Sequence, residues 1–139
     1  MGVDKDRLVL LIGEMERAVT LLKEYRNIPE AAFVADLKSL GAAKYYFMVA
    51  IEACVAICNH ITAKEHTGVP ETYADCFRIL RDTRIVSPEL SDKLIAMAKF
   101  RNLLVHLYWK VDNERVHRIL CSELDDFHEF TRSIAGAYL

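Results

Sequence analysis

Apolar residues recur along this chain at steps of three and four, the spacing of one face of an α-helix. The first segment shows the pattern clearly, at Leu8, Leu11, Met15, Ala18, Leu22 and Tyr25. After a break at residues 27–29, the pattern resumes in a long helix predicted over residues 36–65. The middle of this second helix, YYFMVAIEACVAI, is apolar on almost every side. We therefore expect it to lie at the centre of the core.

Turn signals separate three further helices in the second half of the chain. HTGVP at residues 66–70 predicts a turn, and a third helix follows over residues 72–83. The fourth helix opens with Ser87, Pro88 and Glu89, a capping serine, a proline at the first helical position and an acid in the first turn, and should run to about residue 108. A fifth helix follows the turn at residues 112–113.

No stretch alternates with a period of two, so the sequence predicts an all-α fold. We expect an antiparallel up-and-down helical bundle with four long helices and one shorter one. A chain of 139 residues with 53% hydrophobic and 27% charged residues suits a single globular domain over residues 1–139.

The apolar runs and the cysteines indicate where in the cell the protein is expected to be. The longest continuous apolar runs, LVLLI and ACVAIC, are far shorter than the roughly 20 residues of a membrane span. MGVDKDRL at the N-terminus does not resemble a secretory signal, so a cytoplasmic protein without a membrane segment is expected. The four cysteines contain no C-x-x-C pair and are expected to be buried free thiols rather than a disulfide framework. A soft-metal site, in which Cys54 and Cys58 share the metal with His60 or with a cysteine from elsewhere in the chain, is the weaker alternative.

Charge is unevenly distributed. The formal net charge of -2 argues against a general polyanion binder. Residues 93–118 nevertheless hold six bases and two acids, whereas residues 119–139 hold four acids and one base. The distribution predicts a basic patch beside an acidic tail, with a solvated face of mixed charge as the alternative.

Residues 101–108, RNLLVHLY, place polar side chains in the most apolar part of the fourth helix. Asn102 and His106 are four residues apart and share a face, whereas Arg101 and His106 diverge by about 140° around the helix. Arg101 and His106 can meet only if the helix ends near the histidine, if the arginine folds round, or if a second copy supplies one of them.

Arginine and histidine together suit phosphodiester cleavage in RNA. Imidazole can act as a general base or acid, and a guanidinium can stabilise charge on the phosphate oxygens, without a metal. In the alternative interpretation, Arg101 snorkels to solvent, His106 caps the helix and Tyr108 packs in the core.

The same residues resemble a known family. RNLLVHLY fits the R-x-x-x-x-H-x-Y signature of HEPN-domain proteins, and AIEACVAICNHI at residues 50–61 is similar to the second helix of the HepT branch. The likeness covers roughly residues 30–139. It implies a small all-α bundle that dimerises through the motif helix and acts as a toxin cleaving RNA without metal or cofactor. The expected partner is an MntA-like nucleotidyltransferase antitoxin, which transfers AMP from ATP to the motif tyrosine.

By position, the resemblance implies a role for each of six residues. Arg101 and His106 are the expected catalytic pair, with Asn102 as polar support. Tyr108 is the expected AMPylation site. Glu52 and Asn59 are expected to support the site from the second helix.

Two rival functions remain open. Glu114 with His117 and Asp125 with His128 superficially resemble di-iron ligands, but we expect both pairs on one helix, whereas a di-iron centre needs them on two facing helices. The second rival is a non-catalytic HEPN module that binds a nucleotide or a nucleotidyltransferase partner and cleaves nothing.

Overall fold

The computed structural model describes residues 2–139, and in this range all regular secondary structure is helical. The seven α-helices are α1 (Lys5–Lys23), α2 (Glu30–Ala35), α3 (Leu37–Glu65), α4 (Tyr73–Asp82), α5 (Pro88–His106), α6 (Asn113–Ser122) and α7 (Asp125–Tyr138). A single 3-10 turn, Tyr108–Lys110, follows α5. The all-α prediction is confirmed.

Local capping sets the ends of the helices that carry the candidate site. Ser87 accepts a hydrogen bond from the backbone N–H of Leu90 at 3.1 Å, and Pro88 occupies the first turn, as the sequence predicts. α3 ends at Glu65 and is capped by His66, whose φ of 54° is left-handed and whose N–H donates to the Thr62 carbonyl. The starting point of α5 and the length of α3 therefore follow from local sequence.

α3 is the central helix, and it packs against α1, α2, α4, α5 and α6. The Asp4 N–H donates to Nε2 of His60 at 3.0 Å, and Cys54 Sγ lies 3.1 Å from Met15 Sδ. Since residue numbers rise along α1 as they fall along α3, these two helices are antiparallel. Burial raises the pKa of the Cys54 thiol, which stays protonated in this contact.

Within residues 2–139, α3 alone is long and apolar enough to cross a membrane by length and composition. In its most apolar stretch, 56% of the residues are buried inside the bundle. Core helices of soluble proteins meet the same criterion, and the packing of α3 against five other helices accounts for its apolar character.

The division into four long helices and one shorter helix is wrong in two places. α2 is a separate short helix before α3, and the predicted fifth helix is two helices, α6 and α7. Glu123 ends α6 with φ -123° and ψ 1°, outside the helical region, and Leu124 beside it is buried. The chain bends there because Leu124 turns into the core, which helical periodicity does not reveal.

The expectation of four free thiols is also wrong. Cys58 of α3 and Cys76 of α4 form a disulfide, with 6.0 Å between their Cα atoms. Cys54 is a buried free thiol and Cys121 an exposed one. The packing of α4 on α3 brings the bonded pair together, and the bond removes Cys58 from the alternative metal site. Among residues 2–139, no group of three His, Cys, Asp or Glu side chains is placed to hold a metal ion.

Candidate functional site

Arg101 lies in the second half of α5 and is held by groups from two other helices. Its Nε pairs with the Glu52 carboxylate of α3, and its guanidinium carbon lies 5.0 Å from the ring centre of Tyr73 on α4. Its NH1 donates to Asn102 Oδ1 at 3.4 Å. Only 18% of the Arg101 side chain is exposed. Arg101 therefore does not snorkel freely into solvent, and its guanidinium has a fixed position.

Tyr73 completes this arrangement, although sequence reasoning missed it. Its hydroxyl lies 3.3 Å from each carboxylate oxygen of Glu52. Burial and the charge of Glu52 raise the pKa of Tyr73, against an opposing effect of Arg101. The phenol is therefore protonated at neutral pH and donates to the carboxylate. Tyr73 is the first residue of α4, after the capping Thr72, and no motif distinguishes it from other tyrosines.

Of the two predicted supporting residues, the structure brings only Glu52 to Arg101. Asn59 is seven residues further along α3, about 10 Å by the helical rise. The Asn59 side-chain oxygen lies 3.3 Å from Sγ of Cys76, beside the disulfide. Asn59 thus belongs to the contact between α3 and α4 rather than to the surroundings of the guanidinium.

His106 is the last residue of α5, and its side chain is exposed. Leu107 leaves the helix with φ -132° and ψ 46°, and its N–H donates to the Leu103 carbonyl at 3.0 Å. Within residues 2–139, no hydrogen bond or ion pair reaches the His106 ring, and Asn102 contacts Arg101 instead. A single copy of the chain thus fixes Arg101 and leaves His106 facing solvent.

Tyr108 follows directly in the 3-10 turn and is 51% exposed, so the alternative that it packs in the core does not hold. The ammonium of Lys44 on α3 lies 4.2 Å from its ring centre. Its neighbours Val105 and Trp109 are 39% and 76% exposed. The end of α5 therefore exposes three large apolar side chains around His106, an arrangement that is common at protein interfaces.

Ion pairs neutralise part of the predicted basic patch. Arg118 lies 3.3 Å from a carboxylate oxygen of Asp112, and Lys93 lies 3.5 Å from one of Asp126. Lys99 and Lys110 are exposed and have no ion pair within the described residues. The usable positive charge is therefore smaller than the count of bases in residues 93–118 indicates.

The histidines of the two metal-ligand pairs serve other contacts. His117 and His128 lie on α6 and α7, not on one helix as predicted. His117 Nε2 is 2.6 Å from the Ile28 carbonyl, and His128 Nδ1 is 2.8 Å from a Glu16 carboxylate oxygen. His117 thus links α6 to the segment between α1 and α2, and His128 links α7 to α1.

A known protein family covers most of the chain. A family model described as "Ribonuclease HepT-like" matches residues 15–134. The chain belongs to the HepT-like ribonuclease family. An mRNA nuclease HepT of Shewanella oneidensis is 34% identical over 79 residues, which are 57% of this chain and 59% of that protein. A tRNA nuclease HepT of Aphanizomenon flos-aquae is 26% identical over 129 residues, 93% of this chain and 85% of the relative.

Solved structures share the HepT-like fold. A tri-AMPylated Shewanella oneidensis HEPN toxin in complex with MNT antitoxin superposes with a TM-score of 0.88 and 25% identity, covering 94% of this chain and 98% of the toxin. YutE, a cytosolic Bacillus subtilis protein of unknown function, superposes with a TM-score of 0.84 and 19% identity, over 97% of this chain and 90% of that protein. The second likeness concerns the fold alone.

Proposed function

We propose that this HepT-like chain is a cytoplasmic, metal-independent endoribonuclease toxin, with Arg101 and His106 of two copies forming each cleavage site. One observation carries the proposal. Glu52 and Tyr73 hold the Arg101 guanidinium in place, while His106, five residues later, is exposed at the end of the same helix. The two related proteins named as nucleases support RNA as the substrate.

The chemistry follows from these two side chains. An imidazole takes the proton of a ribose 2'-hydroxyl, whose oxygen attacks the adjacent phosphorus as the bond to the 5'-oxygen breaks. The leaving oxygen receives a proton, and the products are a cyclic phosphate and a free 5'-hydroxyl. The Arg101 guanidinium donates hydrogen bonds to the non-bridging oxygens, where negative charge builds up in the transition state. His106 supplies that imidazole.

A second copy of the chain explains both the divergence of the pair and the exposed surface. Arg101 and His106 point about 140° apart on α5. A two-fold pairing of the α5 ends covers Val105 and Trp109 and brings the histidine of one copy to the arginine of the other. The homodimer is thus part of the proposal, because each cleft needs both subunits.

Mixing two inactive variants tests the shared cleft. Arg101→Ala and His106→Ala are each expected to be inactive alone. A mixed dimer contains one cleft with both native residues, so co-refolding the two variants should restore about a quarter of the wild-type activity at random pairing. The measurement is cleavage of a fluorescent RNA in EDTA at equal total protein concentration.

The outcome separates the two geometries. If one chain supplied both residues to its own cleft, every subunit in the mixture would lack one of them. Activity of the mixture no higher than that of the separate variants, with mixed dimers shown by native mass spectrometry, would overturn the shared cleft.

We further propose that an MntA-like nucleotidyltransferase antitoxin neutralises this toxin by transferring AMP to Tyr108. The phenol is half exposed and lies two residues after His106, so an attached nucleotide would occupy the approach to the cleft. The AMPylated state of the Shewanella oneidensis toxin, in complex with MNT antitoxin, supports this regulation.

Variants of Tyr73 test whether it positions the guanidinium. Tyr73→Phe keeps the ring under Arg101 and loses only the hydroxyl bonded to Glu52, so kcat should fall about 3-fold. Tyr73→Leu loses both contacts, and kcat should fall about 10-fold or more with a smaller change in KM.

Tyr45→Leu, at an exposed tyrosine of α3, is the matched control for Tyr73→Leu and should retain the wild-type kcat. Thermal melts of all three variants identify losses caused by unfolding. Equal kcat for the Phe and Leu variants, both at the wild-type level, would show that Tyr73 does not position Arg101.

A further inference from the structure

Lys44 has an environment that is unusual for a lysine. It lies on the core helix α3 with only 5% of its surface exposed. Within the described residues, no carboxylate lies within ion-pair distance of its ammonium. The Lys44 ammonium contacts the face of the Tyr108 ring and lies 4.2 Å from the ring centre. The aliphatic stem of Lys44 is buried, whereas its ammonium keeps contact with solvent and has no counter-ion within the described residues, so it is available to bind an anion.

The geometry determines where that anion would lie. The phenol oxygen lies one ring radius and one C–O bond from the ring centre, so an ammonium over that centre at 4.2 Å is roughly 5 Å from the oxygen. The oxygens of a phosphate bonded to that phenol would therefore lie within reach of the ammonium. Lysine is a common phosphate ligand and acts as a point charge. A singly charged phosphodiester would neutralise the single charge of Lys44.

We propose that Lys44 and Tyr108 form a phosphate-binding acceptor site, in which Lys44 binds the phosphodiester of the nucleotide attached to Tyr108. This inference rests on the proposed modification of Tyr108. In that step, the phenol oxygen attacks the α-phosphorus of ATP and releases its proton to solvent. The bond between the α- and β-phosphates breaks, and pyrophosphate leaves. Lys44 stabilises the charge on the α-phosphate during transfer and in the product.

The phosphate of the modified tyrosine fits this site better than a phosphate of the RNA substrate. Lys44 precedes Glu52 by eight residues, about 12 Å along α3. Glu52 holds Arg101, so the guanidinium and Lys44 are attached at separate points along α3. The Lys44 ammonium instead lies over the ring that is to be modified.

Three lysine variants, each incubated with Mg-ATP and the MNT antitoxin of Shewanella oneidensis, test the proposal. Lys44→Met keeps the length of the side chain and removes its charge, and Lys44→Arg keeps the charge. Lys38→Met, at an exposed position of the same helix, is the matched control. Intact-mass spectrometry follows AMP addition over time, and thermal melts establish that each variant is folded.

We expect AMP addition at least tenfold slower for Lys44→Met, within about threefold of wild type for Lys44→Arg, and unchanged for Lys38→Met. Addition to Lys44→Met at the wild-type rate would overturn the role of Lys44. So would an equally large loss of single-stranded RNA binding by unmodified Lys44→Met in a His106→Ala background, because it would assign Lys44 to RNA. Unaltered AMP addition to Tyr108→Phe, or no addition to wild type, would instead overturn the modification of Tyr108.

Discussion

Replacing His106 with alanine is expected to reduce RNA cleavage by about 10²- to 10⁴-fold, the usual contribution of a general acid or base. His106 is exposed at the last position of α5, and its ring has no hydrogen bond within the described residues, so the fold should tolerate the change. The measurement is fragmentation of total RNA in EDTA, followed by electrophoresis with time. Thermal melts of both proteins should differ by no more than a few degrees.

His66→Asn is the matched control for this experiment. His66 is also exposed and also ends a long helix, and asparagine tolerates its left-handed backbone. This variant should cleave RNA at the wild-type rate. Intact RNA with the wild-type chain would contradict the nuclease and favour the non-catalytic module. Equal cleavage by wild type and His106→Ala would remove His106 from the mechanism.

Replacing Phe47 with alanine is expected to lower the free energy of unfolding by about 3–5 kcal/mol, as for other large core aromatics. Phe47 is fully buried on α3, and its ring lies edge-on to Phe100 of α5 with 5.6 Å between centroids. The truncation leaves a cavity between the two helices that carry Glu52 and Arg101. Urea unfolding at fixed protein concentration measures the change, and the melting temperature should fall by about 10 °C or more.

Tyr45→Ala provides the comparison for Phe47. Tyr45 lies two residues earlier on α3 and is 59% exposed, so the free energy of unfolding should change by less than about 1 kcal/mol. Similar losses for the two variants would show that α3 does not bury Phe47 in the way described. Below its melting temperature, Phe47→Ala should also cleave RNA more slowly, because Phe100 directly precedes Arg101.

The parts of the fold that follow from local sequence could be predicted. Ser87 and Pro88 mark the start of α5, and the spacing of Leu8, Leu11 and Met15 marks the buried face of α1. These features depend on neighbours within a few residues. The RNLLVHLY motif likewise singles out Arg101 and Tyr108 from local sequence alone.

What depends on distant neighbours could not be predicted. The partners of Arg101 and Tyr108, which are Tyr73 and Lys44, come from other helices and belong to no motif. The sequence also predicts that the fourth helix runs to about residue 108, which would place Tyr108 within it. The helix ends at His106, so Tyr108 lies on a 3-10 turn and is exposed. The bend at Leu124 and the Cys58–Cys76 bond have the same origin in tertiary packing.

The restricted side chain of Arg101 lowers the entropy cost of binding an anion. A free arginine loses roughly 2 kcal/mol of rotamer entropy when it is ordered. In this bundle Glu52 and Tyr73 already restrict the side chain, so in the proposed cleavage site an incoming phosphate would meet a preorganised donor. The carboxylate also competes for the same guanidinium. The guanidinium would therefore bind the phosphate of the intact RNA weakly, and would bind it more strongly once negative charge accumulates in the transition state. Binding energy that is gained only in the transition state raises kcat rather than lowering KM.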